Sequence, residues 1–329
     1  MSTPALNALV HTMRYEAKGI VSLELHPAMG DAVFPAFEPG AHIDLHLPNG
    51  LVRNYSLLNP ATERQRYVVG VLDDRNSRGG SRYVHQQLRV GMVLPVSAPR
   101  NNFPLCESAQ HSVLLAGGIG VTPMLSMLQS LAARARQVEF IYCARSRSEA
   151  AFVRKIESYA GLPGVRLRWH FDEEEEGPPD LRQLLAGHTA DTHLYGCGPA
   201  PMLYAFERTC EELGYANVHI ERFAVSSASV SAVAERVADE LNGYCVELRR
   251  SGKTLQVPVG VSLLDALLEA GISHDYSCKE GLCGACETRV LAGEVDHRDS
   301  ILTKSERAAN NTMMVCVSRC KRGPLVLDI

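Results

Sequence analysis

Residues 21–25 and 41–47 alternate apolar and polar side chains, and 67–72 and 92–96 are short apolar runs. Turn residues punctuate them: Pro39-Gly40, Pro48-Asn49-Gly50 and Gly91. Regular short strands of this kind predict a small antiparallel barrel over residues 1–104. From residue 105 the pattern changes. An unbroken apolar strand at 112–116 precedes a helix over 123–133, then a strand at 138–144 and another helix. A further strand at 193–195 leads into a helix over 200–213. Strand–helix alternation predicts a parallel sheet covered by helices over 105–226. Residues 227–242 are small, polar and poor in aromatics, the composition of a linker, with a helical turn expected at 235–241. The third unit, 243–329, begins with a hairpin (245–248 and 254–257) and a helix over 263–270.

Composition narrows this picture. With 329 residues, 46% hydrophobic and 21% charged, the chain is expected to fold as two or three globular domains. A formal net charge of −4 gives no pointer to nucleic acid. No apolar run reaches bilayer length, and the first residues lack a basic segment followed by an apolar stretch, so the expected compartment is the cytoplasm. Ten cysteines without a secretion signal argue for reduced thiols and metal ligation. The acidic run 172–176 ends in Gly177-Pro178-Pro179 and reads as a solvated loop.

Four of the cysteines carry the sharpest signal. Cys278, Cys283 and Cys286 have the C-x4-C-x2-C spacing, and Cys316 follows at a distance, the arrangement of plant-type 2Fe–2S ferredoxins. Each iron needs two thiolates, and Gly281 and Gly284 let the loop turn tightly enough to supply three. Cys316, in the strand-like run Met-Met-Val-Cys-Val, supplies the fourth. Zinc sites use paired C-x2-C units, and only one is present. Cys106, Cys143, Cys210, Cys245 and Cys320 are expected to be ordinary, mostly buried thiols.

A second constellation lies in the barrel region. Arg53-Asn54-Tyr55-Ser56 ends a strand, and Ser77-Arg78-Gly79-Gly80-Ser81 precedes a helix. Arg53 offers a planar cation, Tyr55 a flat ring and Ser56 a hydroxyl, while Gly79, Gly80 and Ser81 can face an anion. Each fragment alone is ordinary. Together, in this order, they resemble the flavin domain of the ferredoxin–NADP reductase superfamily, and the Gly-Gly-Ser loop resembles its FMN-binding branch. Across residues 8–329 the chain resembles the phthalate dioxygenase reductase family. The tail segments 293–300 and 313–318 are similar to reductases of vanillate demethylase-type systems.

The nucleotide motifs fit that resemblance. Gly118-Ile-Gly120-Val-Thr122-Pro123 follows a buried strand and opens a helix. Gly118 and Gly120 allow a pyrophosphate to approach, Thr122 is expected to cap the helix, and Pro123 suits its first turn. Cys197-Gly198-Pro199 follows the last apolar strand. The resemblance implies that Cys197 faces the nicotinamide, that Thr122 and Phe223 lie against the flavin, and that Val71, Leu72 and Arg145 belong to the cofactor sites. For Cys197 a buried core thiol is the alternative, and for Phe223 a hydrophobic plug. Arg145 and Arg147 follow the second strand with no acid until Glu149, which by charge alone favours NADPH. The resemblance favours NADH.

The resemblance therefore implies a multidomain α+β fold: a β-barrel flavin domain, an α/β nucleotide domain and a β-grasp ferredoxin domain. It implies electron transfer from NADH through FMN and a 2Fe–2S cluster to a terminal Rieske-type oxygenase acting on an aromatic or amine substrate. Ser56 and Cys197 are the side chains expected at the reaction site. Two alternatives stay open: an NADPH-dependent reductase serving a haem monooxygenase, and a non-catalytic electron-transfer or redox-sensing subunit.

Overall fold

The chain, seen in a computed structural model that describes residues 6–29, 32–75, 77–175, 177–223 and 243–329, divides after Glu221 into two compact units. The expected linker at 227–242 and its helical turn lie outside the described residues.

The first unit holds two sheets. Strands β1 (Leu6–Ala17), β2 (Ile20–Pro27), β3 (His42–His46), β4 (Val52–Ser56), β5 (Tyr67–Leu72) and β6 (Val93–Val96) pair antiparallel in the order β4-β3-β6-β1-β2-β5. An isolated bridge between Leu57 and Val69 joins the two outer strands and closes the barrel. The apolar positions Leu23, Leu25, Ile43, Leu45, Val69 and Val71 fill its core. Helix α1 (Gly80–Gln86) follows β5.

The second sheet is parallel. It comprises β7 (His111–Gly117), β8 (Gln137–Ala144), β9 (Val165–Phe171), β10 (His193–Cys197) and β11 (Val218–Glu221), in the order β11-β10-β7-β8-β9. Helices α2 (Val121–Ala133), α3 (Val153–Glu157), α4 (Leu181–Leu185) and α5 (Ala200–Leu213) connect it. Strand β9 has no counterpart among the sequence-predicted strands. Its Arg166, Arg168 and His170 suit an edge, where one face stays wet. Helix α2 is buried on nearly all sides, as expected of a helix packed between layers. Leu125 and Leu128 are fully buried and each contributes roughly 1.5–3 kcal/mol. Its buried polar residues find partners in the barrel: Ser126 Oγ donates to Asn59 O (3.3 Å) and Gln129 Nε2 to Leu58 O (2.7 Å).

The second unit is a β-grasp fold. Strands β12 (Tyr244–Leu248), β13 (Lys253–Val257), β14 (Glu287–Asp296), β15 (Thr312–Met314) and β16 (Arg319–Leu327) form a mixed sheet in the order β13-β12-β16-β14-β15. Helix α6 (Leu263–Glu269) buries Leu263, Leu264 and Leu267 in one core with Val246, Leu248 and Leu325. Helix α7 (Lys304–Ala309) is closed by a Thr303–Glu306 capping box. Cys316 does not lie in a strand as expected. Strand β15 stops at Met314, and turn bonds from Val317 N and Ser318 N back to Met314 O reverse the chain, so Cys316 sits in a turn, buried against the core of this unit. Among the described residues no helix is long and apolar enough to cross a membrane.

Candidate functional site

Between β13 and β14 the chain wraps into a loop that carries three of the predicted sulfurs, and the turn after β15 carries the fourth, Cys316. Cys278, Cys283, Cys286 and Cys316 are all buried. Cys283 neighbours Cys278 and Cys286 neighbours Cys316, and each neighbour, with burial, pushes the thiol of Cys278 or Cys316 well above its ordinary range. Two sulfur pairs in one buried pocket match two irons with two thiolates each, and bound iron removes the protons that burial alone would retain. Backbone amides point at sulfur: Glu280 N donates to Cys278 Sγ (3.3 Å) and Cys278 N to Cys283 Sγ (3.5 Å). Lys279 and Gly281 adopt left-handed φ of +56° and +68° to make this possible. Asp299 braces the loop from outside. Its carboxylate, fully buried, accepts from Leu302 N (2.9 Å) and Ile301 N (3.1 Å), and Ser300 N donates to Gly281 O (2.9 Å).

At the barrel end, β4 presents Arg53, Asn54, Tyr55 and Ser56. Gly79, in a left-handed conformation (φ +100°), starts α1, and a Cβ on Gly80 would lie 2.6 Å from Arg53 Cγ and Nε. Glycine is therefore needed for the Arg53 side chain to lie across the helix start. Ser81 Oγ accepts from Asp74 N (3.3 Å), which leaves its own proton for an acceptor. Cation and hydroxyl at a glycine-lined helix start together suit a phosphate monoester. The Asn54 amide donates to buried Asp44, which Arg100 Nη2 grips through both oxygens (2.7 and 2.8 Å). Val71 points into the barrel core and only Leu72 is exposed on β5. The Val71 carbonyl pairs with His85 Nε2 (3.0 Å). Tyr55 is partly buried, and desolvation pushes its phenol up despite the nearby Arg53 cation.

Sequence reading gave no role to Glu221, the last residue of β11. Its carboxyl is shut off from solvent, hydrogen-bonded to Ser56, with Oε2 lacking any partner among the described residues. Burial pushes it up to about 8, against the opposing pull of Ser56. The signal available in the sequence was only its place beside Arg222 and Phe223 at the end of the last strand. Cys197, at the end of β10, is fully buried, and desolvation with the nearby Glu221 holds its thiol well above the ordinary range.

The nucleotide motifs meet where strand order reverses, between β7 and β10, the usual binding crevice of an open α/β sheet. The glycines divide their work. A Cβ on Gly120 would lie 2.2 Å from Cys197 O, so Gly120 lets the two turns pack together, whereas Gly118 (φ +52°) has open space beside it. Gly198 likewise backs onto Gly117. Thr122 does not cap α2. The helix begins one residue earlier, at Val121, so the Thr122 hydroxyl donates back to Ile119 O (3.0 Å) and its methyl packs on β5 at Gly70. Pro123 is buried in the first turn, Pro199 is exposed at the start of α5, and Arg145 is exposed after β8. Phe223, 39% exposed, is not a buried plug.

The remaining thiols only partly follow expectation. Cys143 and Cys210 are buried, but Cys245 is exposed and donates to Gln256 Oε1, because it occupies an outward position of β12. All ten cysteines are free of disulfides.

Comparison with known proteins adds independent information. A model of the 2Fe–2S iron–sulfur cluster binding domain matches residues 246–321, and one of the oxidoreductase NAD-binding domain matches 114–208. The chain is 46% identical to tetrachlorobenzoquinone reductase of Sphingobium chlorophenolicum, over 95% of its own length and 94% of that protein's. It is 42% identical to vanillate O-demethylase oxidoreductase of a Pseudomonas species, over 98% and 100%. The solved structure of phthalate dioxygenase reductase superposes with a TM-score of 0.70 at 35% identity, covering 99% of this chain and 98% of that one. A type IV self-sufficient cytochrome P450 monooxygenase superposes with a TM-score of 0.85 at 36% identity; 99% of this chain corresponds to 41% of that chain.

Proposed function

The chain belongs to the phthalate dioxygenase reductase family, and from that premise we propose that it passes electrons from NADH, through FMN and a 2Fe–2S cluster, to a terminal Rieske-type oxygenase. It is an oxidoreductase with NAD-binding and 2Fe–2S modules. The observation that carries the reading is the set of four buried cysteines, with backbone amides aimed at the sulfurs of Cys278 and Cys283, on the same chain as a nucleotide crevice. The modules are taken as a flavin barrel (1–104), a nucleotide domain (105–226), a linker (227–242) and a ferredoxin domain (243–329).

Bound FMN supplies the chemistry that side chains lack, the conversion of a hydride's electron pair into single electrons that a cluster can accept. The residues bind and orient. Arg53, Gly79, Gly80 and Ser81 hold the phosphate, Tyr55 flanks the ring, and Leu72 adds apolar wall. Ser56 places its hydroxyl at the ring's edge, hydrogen-bonded to Glu221. Glu221, neutral below about pH 8, stands behind Ser56 without placing a full negative charge beside the reaction. Gly118 leaves room for the pyrophosphate, with Thr122, Pro123 and Arg145 along the nucleotide's path. Cys197, Gly198 and Pro199 line the nicotinamide end, where Cys197 acts as a neutral wall; its raised thiol argues against a nucleophilic role. Phe223 is the aromatic that the family resemblance assigns to the flavin. Free thiols throughout, with no membrane-crossing helix among the described residues, support a cytoplasmic setting.

A second reading is favoured by one observation, the correspondence of nearly the whole chain to part of a self-sufficient P450: the acceptor is then a haem monooxygenase. Stopped-flow reduction by NADH of a Rieske oxygenase, a P450 and tetrachlorobenzoquinone, each with the purified protein, separates the outcomes. Fast reduction of the Rieske protein alone is the expected result. Preference for the haem protein or the quinone would reassign the partner.

A further inference from the structure

Two arginines follow β8 where the ribose of the nucleotide's adenosine half is expected, and arginine at that position ordinarily welcomes a 2′-phosphate. Only one of them is available. Arg147 is gripped at both ends of its fork by Glu174: Nε donates to Oε1 (2.6 Å) and Nη2 to Oε2 (3.0 Å). Its guanidinium also lies 4.5 Å over the Phe171 ring. The Glu174 segment is anchored, because Asp172 N donates to Ala144 O (3.0 Å) and Glu173 N to Arg145 O (3.0 Å), tying the end of β9 to the loop after β8. The acidic run is a solvated turn, as expected, and its first residues are tied by backbone bonds beside the arginines.

We propose that Glu174 is a specificity determinant that disfavours NADPH: by occupying Arg147 it leaves Arg145 as the one unpaired arginine of the two to meet a 2′-phosphate, and it sets a carboxylate beside that position. This rests on the reading that the chain oxidises a nicotinamide nucleotide at the β7/β10 crevice. A bidentate pair satisfies the fork that a phosphate would otherwise engage. Glu174 acts through Arg147, so it is a positioning residue and not a catalytic one.

The test uses the holoenzyme with ferricyanide as acceptor. For Glu174→Gln, the ratio of kcat/KM for NADPH to that for NADH is expected to rise about fivefold, the scale of one exposed charge contact. The change should lie in KM for NADPH and not in kcat. The same variant should bind 2′,5′-ADP more tightly relative to 5′-AMP, read as competitive inhibition or as quenching of Trp169, the only tryptophan. Adding Arg147→Gln should return both ratios to the wild-type range. Unchanged ratios in Glu174→Gln, or a gain that survives loss of Arg147, would overturn the proposal. Failure of the wild-type protein to oxidise either nucleotide would instead overturn the reading beneath it. Both side chains are exposed, so neither substitution threatens folding.

Discussion

Glu221 shows how one residue acquires its chemistry from the fold. A glutamate at the end of a strand carries no unusual expectation; its neutral state at pH 7 arises because β11 carries it to Ser56 in a place water does not reach. The sign of its pH effect follows. The folded value, about 8, is raised above the ordinary 4.5, so the folded state retains a proton that the unfolded chain gives up. That stability is fully present below pH 4.5 and is lost as pH rises through 8. His42, which burial lowers to about 4, has the opposite trend, gaining stability between pH 4 and 6.5. His188 and His219, also lowered by burial, share the trend of His42, and the gain from all three tapers off above pH 6.5, so Glu221 dominates the window from pH 6.5 to 8. There the first unit should lose about 2 kcal/mol, a drop of roughly 5 °C in melting temperature, read by Trp169 fluorescence. Glu221→Gln should flatten that slope. An equal slope in both proteins would mean that the carboxyl is not held neutral.

At the scale of elements, the cluster loop is where sequence and structure agree most closely, and the reason is chemical. Four sulfurs around two irons would impose a fixed spacing, so these four cysteines could be singled out before any fold was known. The barrel strands, α2 and α5 were legible from periodicity and punctuation. What could not be read depends on contacts distant in sequence. Strand β9 disguises itself with arginines because it lies at an edge. Thr122 looks like a cap, yet the helix starts ahead of it. Gly120 looks like a phosphate glycine, yet its missing side chain makes room for the Cys197 carbonyl. Gly281 offers a test of such close approach. A Cβ there would lie 2.6 Å from Val317 Cγ2 and 3.1 Å from Asp299 Cα, whereas Gly271, with a similar φ of +71°, has nothing within 4 Å. Alanine at either site incurs about 1–2 kcal/mol of left-handed strain, but only Gly281→Ala also crowds the loop. Cluster absorbance per chain should fall in Gly281→Ala and hold in Gly271→Ala. Equal losses would assign the effect to backbone strain alone.

For the molecule as a whole, the decisive property is the division of labour between two compact units, one carrying the barrel and the nucleotide crevice, the other the four sulfurs. Each has its own apolar core, so a lesion in the sulfur loop leaves the packing of the first unit intact. Electron flow can then be cut at a chosen point. Cys283→Ser replaces a soft thiolate with a hydroxyl that binds iron poorly. The purified variant should lose the visible absorbance of the cluster and its paramagnetic signal on reduction. Ferricyanide, a small acceptor able to take electrons at the flavin, should still be reduced by NADH at close to the wild-type rate. Cytochrome c or the oxygenase partner, reached through the cluster, should be reduced only at background. Parallel loss of both activities, with FMN retained, would mean that the units do not function separately, and the order of transfer from nucleotide to flavin to cluster would have to be abandoned.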